Sequence, residues 1–205
     1  MPGKTRFYEP TAGQILLDGV PLEEYDTLDV RRHISVIFQD FVRYEMAARE
    51  NVGFGYVEEL DNDERIRLAT AQSGAAPFIE DLPQKYETTL GRMFEKGHEL
   101  SIGQWQKMAL ARAFMRRAPV VVLDEPTSSI DAESEAEIFG RLQHIAAGAT
   151  TLLIAHRFST VRMANRIIVI KQGKIIEDGT HETLMTAGGT YAHLFRLQAA
   201  GYVNP

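Results

Sequence analysis

The feature that most constrains this chain is the run Val120-Val121-Val122-Leu123, followed at once by Asp124-Glu125-Pro126. Four consecutive β-branched or aliphatic residues without polar alternation suit a strand covered on both faces, the usual state of a strand in a parallel sheet. Ligand sites in open α/β sheets lie off the carboxyl ends of such strands. Two carboxylates placed there suit a hard cation that takes oxygen ligands from one or two acids, phosphate and water. Asp124 would hold the ion, and Glu125 would orient or deprotonate a water. The plainer alternative is an acidic turn that merely ends a strand.

The surrounding text supports α/β layering. Ile34 to Phe38 and Thr151 to Ala155 read as further buried strands, and Ile15 to Gly19 as a short strand ending in a turn. Glu133 to Ala147 sets Ile138, Leu142 and Ile145 on one helical face. Strand and helix alternate from Ala118 to Ile170, which predicts parallel strands. Between Asp61 and Gly97 apolar residues are scattered and turns frequent, so this stretch reads as a mainly helical lobe that starts at an Asp61-Asn62-Asp63-Glu64 cap. Ile167 to Ile170, Gln172-Gly173 and Lys174 to Glu177 predict a hairpin. Tyr191 to Ala199 predicts an amphipathic helix.

Composition bounds the function. Lys and Arg number 22 against 28 Asp and Glu, a net charge of −6, so no basic excess asks for nucleic acid. Cysteine is absent, which excludes disulfides, thiolate metal sites and a cysteine nucleophile. No apolar run approaches the ~20 residues of a membrane-spanning helix, and the first residues do not read as a signal peptide.

Three smaller signals stand beside the acidic pair. Ser101, followed three residues later by Gln104, is a capping box, and Gly103 lies inside it. A helix N-terminus of this kind offers free N–H groups to an anion, although most capping boxes merely start a helix. Gln39 follows one strand directly and its amide could reach an ion or a water. His156 follows another strand, where an imidazole could hydrogen-bond a phosphate oxygen. Alone, each is more simply structural.

Taken together and in order, these segments closely resemble the nucleotide-binding domain of ATP-binding cassette transporters, and within them the exporters. The resemblance rests on Val36-Ile37-Phe38-Gln39-Asp40, Arg49-Glu50-Asn51-Val52, Leu100-Ser101-Ile102-Gly103-Gln104, Gln106 to Ala113, Asp124-Glu125, Ser128-Ser129-Ile130-Asp131 and His156, and it covers nearly the whole chain. It implies an α/β P-loop NTPase core, mostly parallel sheet with flanking helices, over 1–205. A helical subdomain over about 48–117 and a small β-hairpin region complete the expected architecture.

The resemblance also implies roles. Asp124 would bind Mg²⁺ through water, Glu125 would polarise the attacking water, and Gln39 would contact Mg²⁺ and couple the site to the membrane domain. His156 would hold the γ-phosphate. Ser101, Gly103 and Gln104 would contact the ATP of a second copy, with Asp131 in the loop that crosses that interface. The implied cofactors are ATP and Mg²⁺. The implied partners are a second nucleotide-binding domain, identical or not, and the transmembrane domain of an exporter, which places the chain at the cytoplasmic face of a membrane.

One departure is large. The phosphate loop requires G-x-x-x-x-G-K-[ST] between a strand and a helix. Here only Gly3-Lys4-Thr5 matches, with Thr5 at the position that would touch Mg²⁺, and Arg6-Phe7-Tyr8 follows without the intervening helix. The chain therefore reads as a truncated or internally deleted copy. The competing readings are a non-catalytic fragment that cannot bind ATP in cis but still docks a partner, and a soluble cassette ATPase without a transport role. A smaller departure is Ile102, where the family most often has Gly.

Overall fold

The computed structural model describes residues 10–38, 40–92, 97–125, 148–203 and Gly140. The predicted helix over Glu133 to Ala147 lies outside the described residues, apart from Gly140, as do Gly3, Lys4, Thr5, Gln39 and Asp131. Two compact units are present, Met1–Leu123 with Thr127–Leu152, and Asp124–Pro126 with Leu153–Pro205.

In the first unit, β1 (Leu16–Leu17) and β2 (Val20–Pro21) form a small antiparallel ladder. The tight turn between them uses positive φ at Asp18 and Gly19. Next come α1 (Thr27–Arg32), whose N-cap Asp26 accepts from the Leu28 and Asp29 N–H groups, and β3 (Ile34–Ile37). The helices α2 (Ala48–Gly53), α3 (Asp63–Ser73) and α4 (Ala76–Glu80) follow. The predicted acidic cap falls on Asn62, whose side chain accepts from Arg65 N–H, and α3 ends at Gly74 with a left-handed φ of 74°.

The spine of this unit is α5 (Ile102–Arg116), which packs against α3, α2 and β3. It buries Trp105, Met108, Leu110, Ala111 and Met115 almost completely. A buried aromatic or long aliphatic side chain of this kind stabilises by ~1.5–3 kcal/mol, which explains why a helix with a Gly in its first turn holds its place. Gly55 is required by proximity: a Cβ there would lie 1.9 Å from the Arg112 carbonyl oxygen.

The strands β4 (Val120–Asp124) and β5 (Thr150–Ile154) complete a three-stranded sheet in the order β3-β4-β5. β3 and β4 are parallel, with Ile34 opposite Val120 and Ile37 opposite Leu123. The parallel pairing was legible, but the two-sided cover was not. In β4, Val121 and Leu123 are buried while Val120 and Val122 are only half-buried. In β5, expected to be buried, Leu152 and Ile154 are exposed, as is Val36 of β3. An apolar run reports the preference of its side chains, not whether a second layer is present to satisfy it.

The second unit begins with α6 (Phe158–Val161) and continues through the antiparallel hairpin β6 (Ile167–Lys171) and β7 (Lys174–Gly179). Gln172 and Gly173 both take positive φ, 50° and 73°, the twist a two-residue hairpin turn needs. This is the hairpin expected from Ile167 to Ile170, Gln172-Gly173 and Lys174 to Glu177. Then follow α7 (His181–Ala187) and α8 (Thr190–Val203), the predicted terminal helix. Ile167, Leu184 and Tyr191 form the centre of this unit's core.

The Glu177 carboxylate closes α8 from below, accepting from the Thr190 and Tyr191 N–H groups. Gly189 permits this approach, since a Cβ there would lie 2.4 Å from Glu177 Oε1. The Tyr191 N–H first, and then Thr190, hold the carboxyl of Glu177 below its ordinary value. A depressed carboxyl contributes stability above its unfolded pKa and loses it as pH falls through the folded one. Amide exchange at Thr190 and Tyr191 is therefore expected to accelerate as pH drops below the usual carboxylate range, after correction for the intrinsic rate. Glu177→Gln should show the fast exchange already at neutral pH. Protection of both amides unchanged in the variant would contradict this cap.

Candidate active site

Asp124 is the last residue of β4, and the chain turns sharply after it. Glu125 has φ of 44°, in the left-handed region that non-glycine residues rarely occupy. Such a residue costs on the order of 1 kcal/mol or more and persists where its surroundings fix it. Here the Glu125 N–H donates to the Ile154 carbonyl at 2.9 Å, locking the turn to the end of β5. The strained turn sets the carboxylate of Glu125 beside His156, with Oε1 2.7 Å from Nε2. The Glu125 side chain is 21% exposed and that of His156 82%, so the imidazole faces solvent while the carboxylate sits deeper.

Three of the expected site residues, Asp124, Glu125 and His156, are thus brought together in one unit. Asp124–Glu125 ends one strand and His156 follows another, which is where the strand ends of an α/β sheet place ligands. The donor set fits a magnesium-phosphate group: Mg²⁺ takes one or two carboxylates and completes its shell with phosphate and water. Among the described residues no three His, Cys, Asp or Glu side chains gather as a ready-made metal cage.

The Ser101 site belongs to the other unit. The capping box is present as read from the sequence. Ser101 Oγ accepts from Gln104 N–H at 3.2 Å, and Gln104 Oε1 accepts from Ser101 N–H at 2.9 Å. Ser101 is exposed, and Ile102 beside it is 52% exposed. Among the described residues nothing lies within 4 Å of a Cβ built on Gly103, so their packing does not demand a glycine there. Close approach of another molecule would.

Also in the first unit is an apolar trench of about 810 Å³, whose lining includes Phe38, Phe41, Val42, Tyr44, Phe54 and Arg112. Arg112 stacks over the Tyr44 ring at 4.8 Å and donates to the Val42 carbonyl at 2.7 Å. Burial holds its pKa below the ordinary guanidinium value. Sequence reading did not single out this trench, because its residues come from separated segments and share no periodicity.

Residues 5–128 match the ABC transporter family. The chain is 42% identical over 193 residues to an ATP-dependent lipid A-core flippase of Bordetella avium, covering 94% of this chain and 32% of that protein. The flippase of Chromobacterium violaceum gives the same identity and coverage. Among solved structures, a bacterial Atm1-family ABC exporter with ATP bound superposes with a TM-score of 0.85 at 32% identity, over 95% of this chain and 33% of that one. The chain belongs to the ABC transporter family, and it spans about a third of the length of the relatives it matches.

Proposed function

We propose that this chain is the ATP-hydrolysing domain of an ABC exporter, which couples nucleotide hydrolysis to transport through a separate membrane-spanning domain. The observation that carries the reading is the Glu125–His156 pair at 2.7 Å, fixed by a strained turn immediately after Asp124. ATP would supply the phosphoryl group and Mg²⁺ the charge that steadies it. Asp124 would hold the ion, Glu125 would polarise the attacking water and accept its proton, and His156 would donate toward the γ-phosphate. Gln39, which follows β3 in the sequence, would contact the same metal and water. Gly3, Lys4 and Thr5 would approach the phosphates. Such catalysis is mainly positioning and charge stabilisation.

Ser101, Gly103 and Gln104 are read as facing the nucleotide of a second domain, with Asp131 in the crossing loop. The open space around Gly103 among the described residues and the exposure of Ser101 and Ile102 at the start of α5 support that reading. The trench lined by Phe38, Phe41 and Tyr44 supports docking of an apolar segment of the membrane domain at the cytoplasmic face. No helix among the described residues is long and apolar enough to cross a membrane.

A second reading is favoured by one feature. Arg6-Phe7-Tyr8 directly follows Gly3-Lys4-Thr5, which leaves no room for the phosphate-loop helix and points to a non-catalytic domain that docks a partner. The test is phosphate release from Mg-ATP by the chain, beside a version with the phosphate loop and its helix restored. Hydrolysis by the restored protein alone supports both the site and the defect. Absence of hydrolysis in both overturns the catalytic reading.

A further inference from the structure

Both sides of the His156 loop are held by one side chain that no sequence signal marked. Gln198, on α8, donates from Nε2 to the His156 carbonyl at 3.2 Å, and its Oε1 accepts from the Phe158 N–H at 2.8 Å. The amide therefore bridges the two peptide groups that flank Arg157. Phe158 is the first residue of α6, where N–H groups have no partner within the helix. Gln198 supplies one.

The seat of Gln198 is itself fixed. The Phe158 ring meets Tyr191 and Phe195 of α8 edge-on, each at 5.5 Å between centroids. Glu177 caps the other end of α8 through Thr190 and Tyr191. A continuous path of contacts runs from the hairpin through α8 to the backbone of His156, whose Nε2 meets Glu125. The His156 side chain, 82% exposed, has little packing of its own to set its position.

We propose that Gln198 is a positioning residue that fixes the His156 backbone and so sets the imidazole against Glu125. This deepens the proposed function and rests on its assignment of His156. Groups that meet a reacting phosphate must be held within about half an ångström, and they depend on a supporting shell of hydrogen bonds to achieve it.

The test uses nuclear magnetic resonance of the isotope-labelled 205-residue chain, which needs no nucleotide. The parent should show nuclear Overhauser contacts between the His156 ring and the Glu125 side chain, absent in His156→Ala. In Gln198→Ala those contacts should fall at least threefold. Exchange of the Phe158 amide should rise about fivefold or more, the loss of one net hydrogen bond, while amides early in α8 keep their protection.

Gln198→Glu separates the two bonds. It keeps the acceptor for Phe158 N–H and removes the donor to the His156 carbonyl, so Phe158 protection should persist while the His156–Glu125 contacts weaken. This second variant decides the matter if Gln198→Ala unfolds. The proposal is overturned if the parent lacks the His156–Glu125 contacts, or if either variant keeps them at parental strength. It is also overturned if all amides of α8 lose protection together in Gln198→Glu, because Gln198 would then only anchor the helix. Failure of the assignment of His156 appears elsewhere, as unchanged hydrolysis in His156→Ala of the protein with its phosphate loop restored.

Discussion

With the phosphate loop restored, Glu125→Gln is expected to hydrolyse ATP about 10²–10⁴ times more slowly than its parent, the usual contribution of a positioned general base. Mg-ATP binding should change little. Glutamine is nearly isosteric and can still hydrogen-bond, and the strained turn at Glu125 is set by a backbone bond to Ile154 that the substitution leaves in place. It cannot accept a proton or carry the charge that polarises water. Asp124→Asn should fail differently, by losing charge from the metal shell and weakening Mg²⁺ retention.

With ATP unhydrolysed, the Glu125→Gln protein should accumulate as a dimer closed over nucleotide by the Ser101 end of each copy. Size-exclusion chromatography with and without Mg-ATP, beside a phosphate-release assay, measures both effects. Equal turnover in variant and parent would remove Glu125 from the role assigned to it.

The 205-residue chain itself is expected to bind Mg-ATP several orders of magnitude more weakly than a domain with a full phosphate loop. That loop holds phosphates by backbone N–H groups that run into a helix N-terminus. Here Arg6 follows Thr5 directly, and residues 10–15 contain no helix. Each charge-assisted hydrogen bond contributes about 1.5–3 kcal/mol, so losing several of them compounds to a factor of thousands or more. Asp124, Glu125 and His156 cannot replace the cradle, because two acceptor-only carboxylates and one imidazole do not supply the several N–H donors that the loop offers the phosphates. Calorimetric titration should therefore give millimolar affinity or no measurable heat, and a micromolar dissociation constant would contradict the prediction.

Local chemistry was legible from the residues. The Gln172-Gly173 turn, the Ser101–Gln104 capping box and the strands around Ile34 and Val120 each depend on a few neighbouring side chains and backbone angles. Nearest-neighbour sterics and hydrogen bonding suffice to set them. The acidic pair could be placed at a strand end for the same reason, since a polar residue after an apolar run marks where a buried strand emerges.

Tertiary structure alone decided which strand ends meet and what braces them. The 2.7 Å approach of His156 to Glu125 joins residues 31 positions apart. Gln198 reaches His156 across 42 positions and Phe158 across 40. Such pairs leave no periodic trace, because a side chain that bonds a backbone carbonyl or N–H requires no particular residue type at the other end. The same holds for the cover of the sheet. Leu152 and Ile154 read as buried, yet they lie exposed. An apolar side chain records a preference for burial, whereas burial itself depends on whether another layer of chain packs against it.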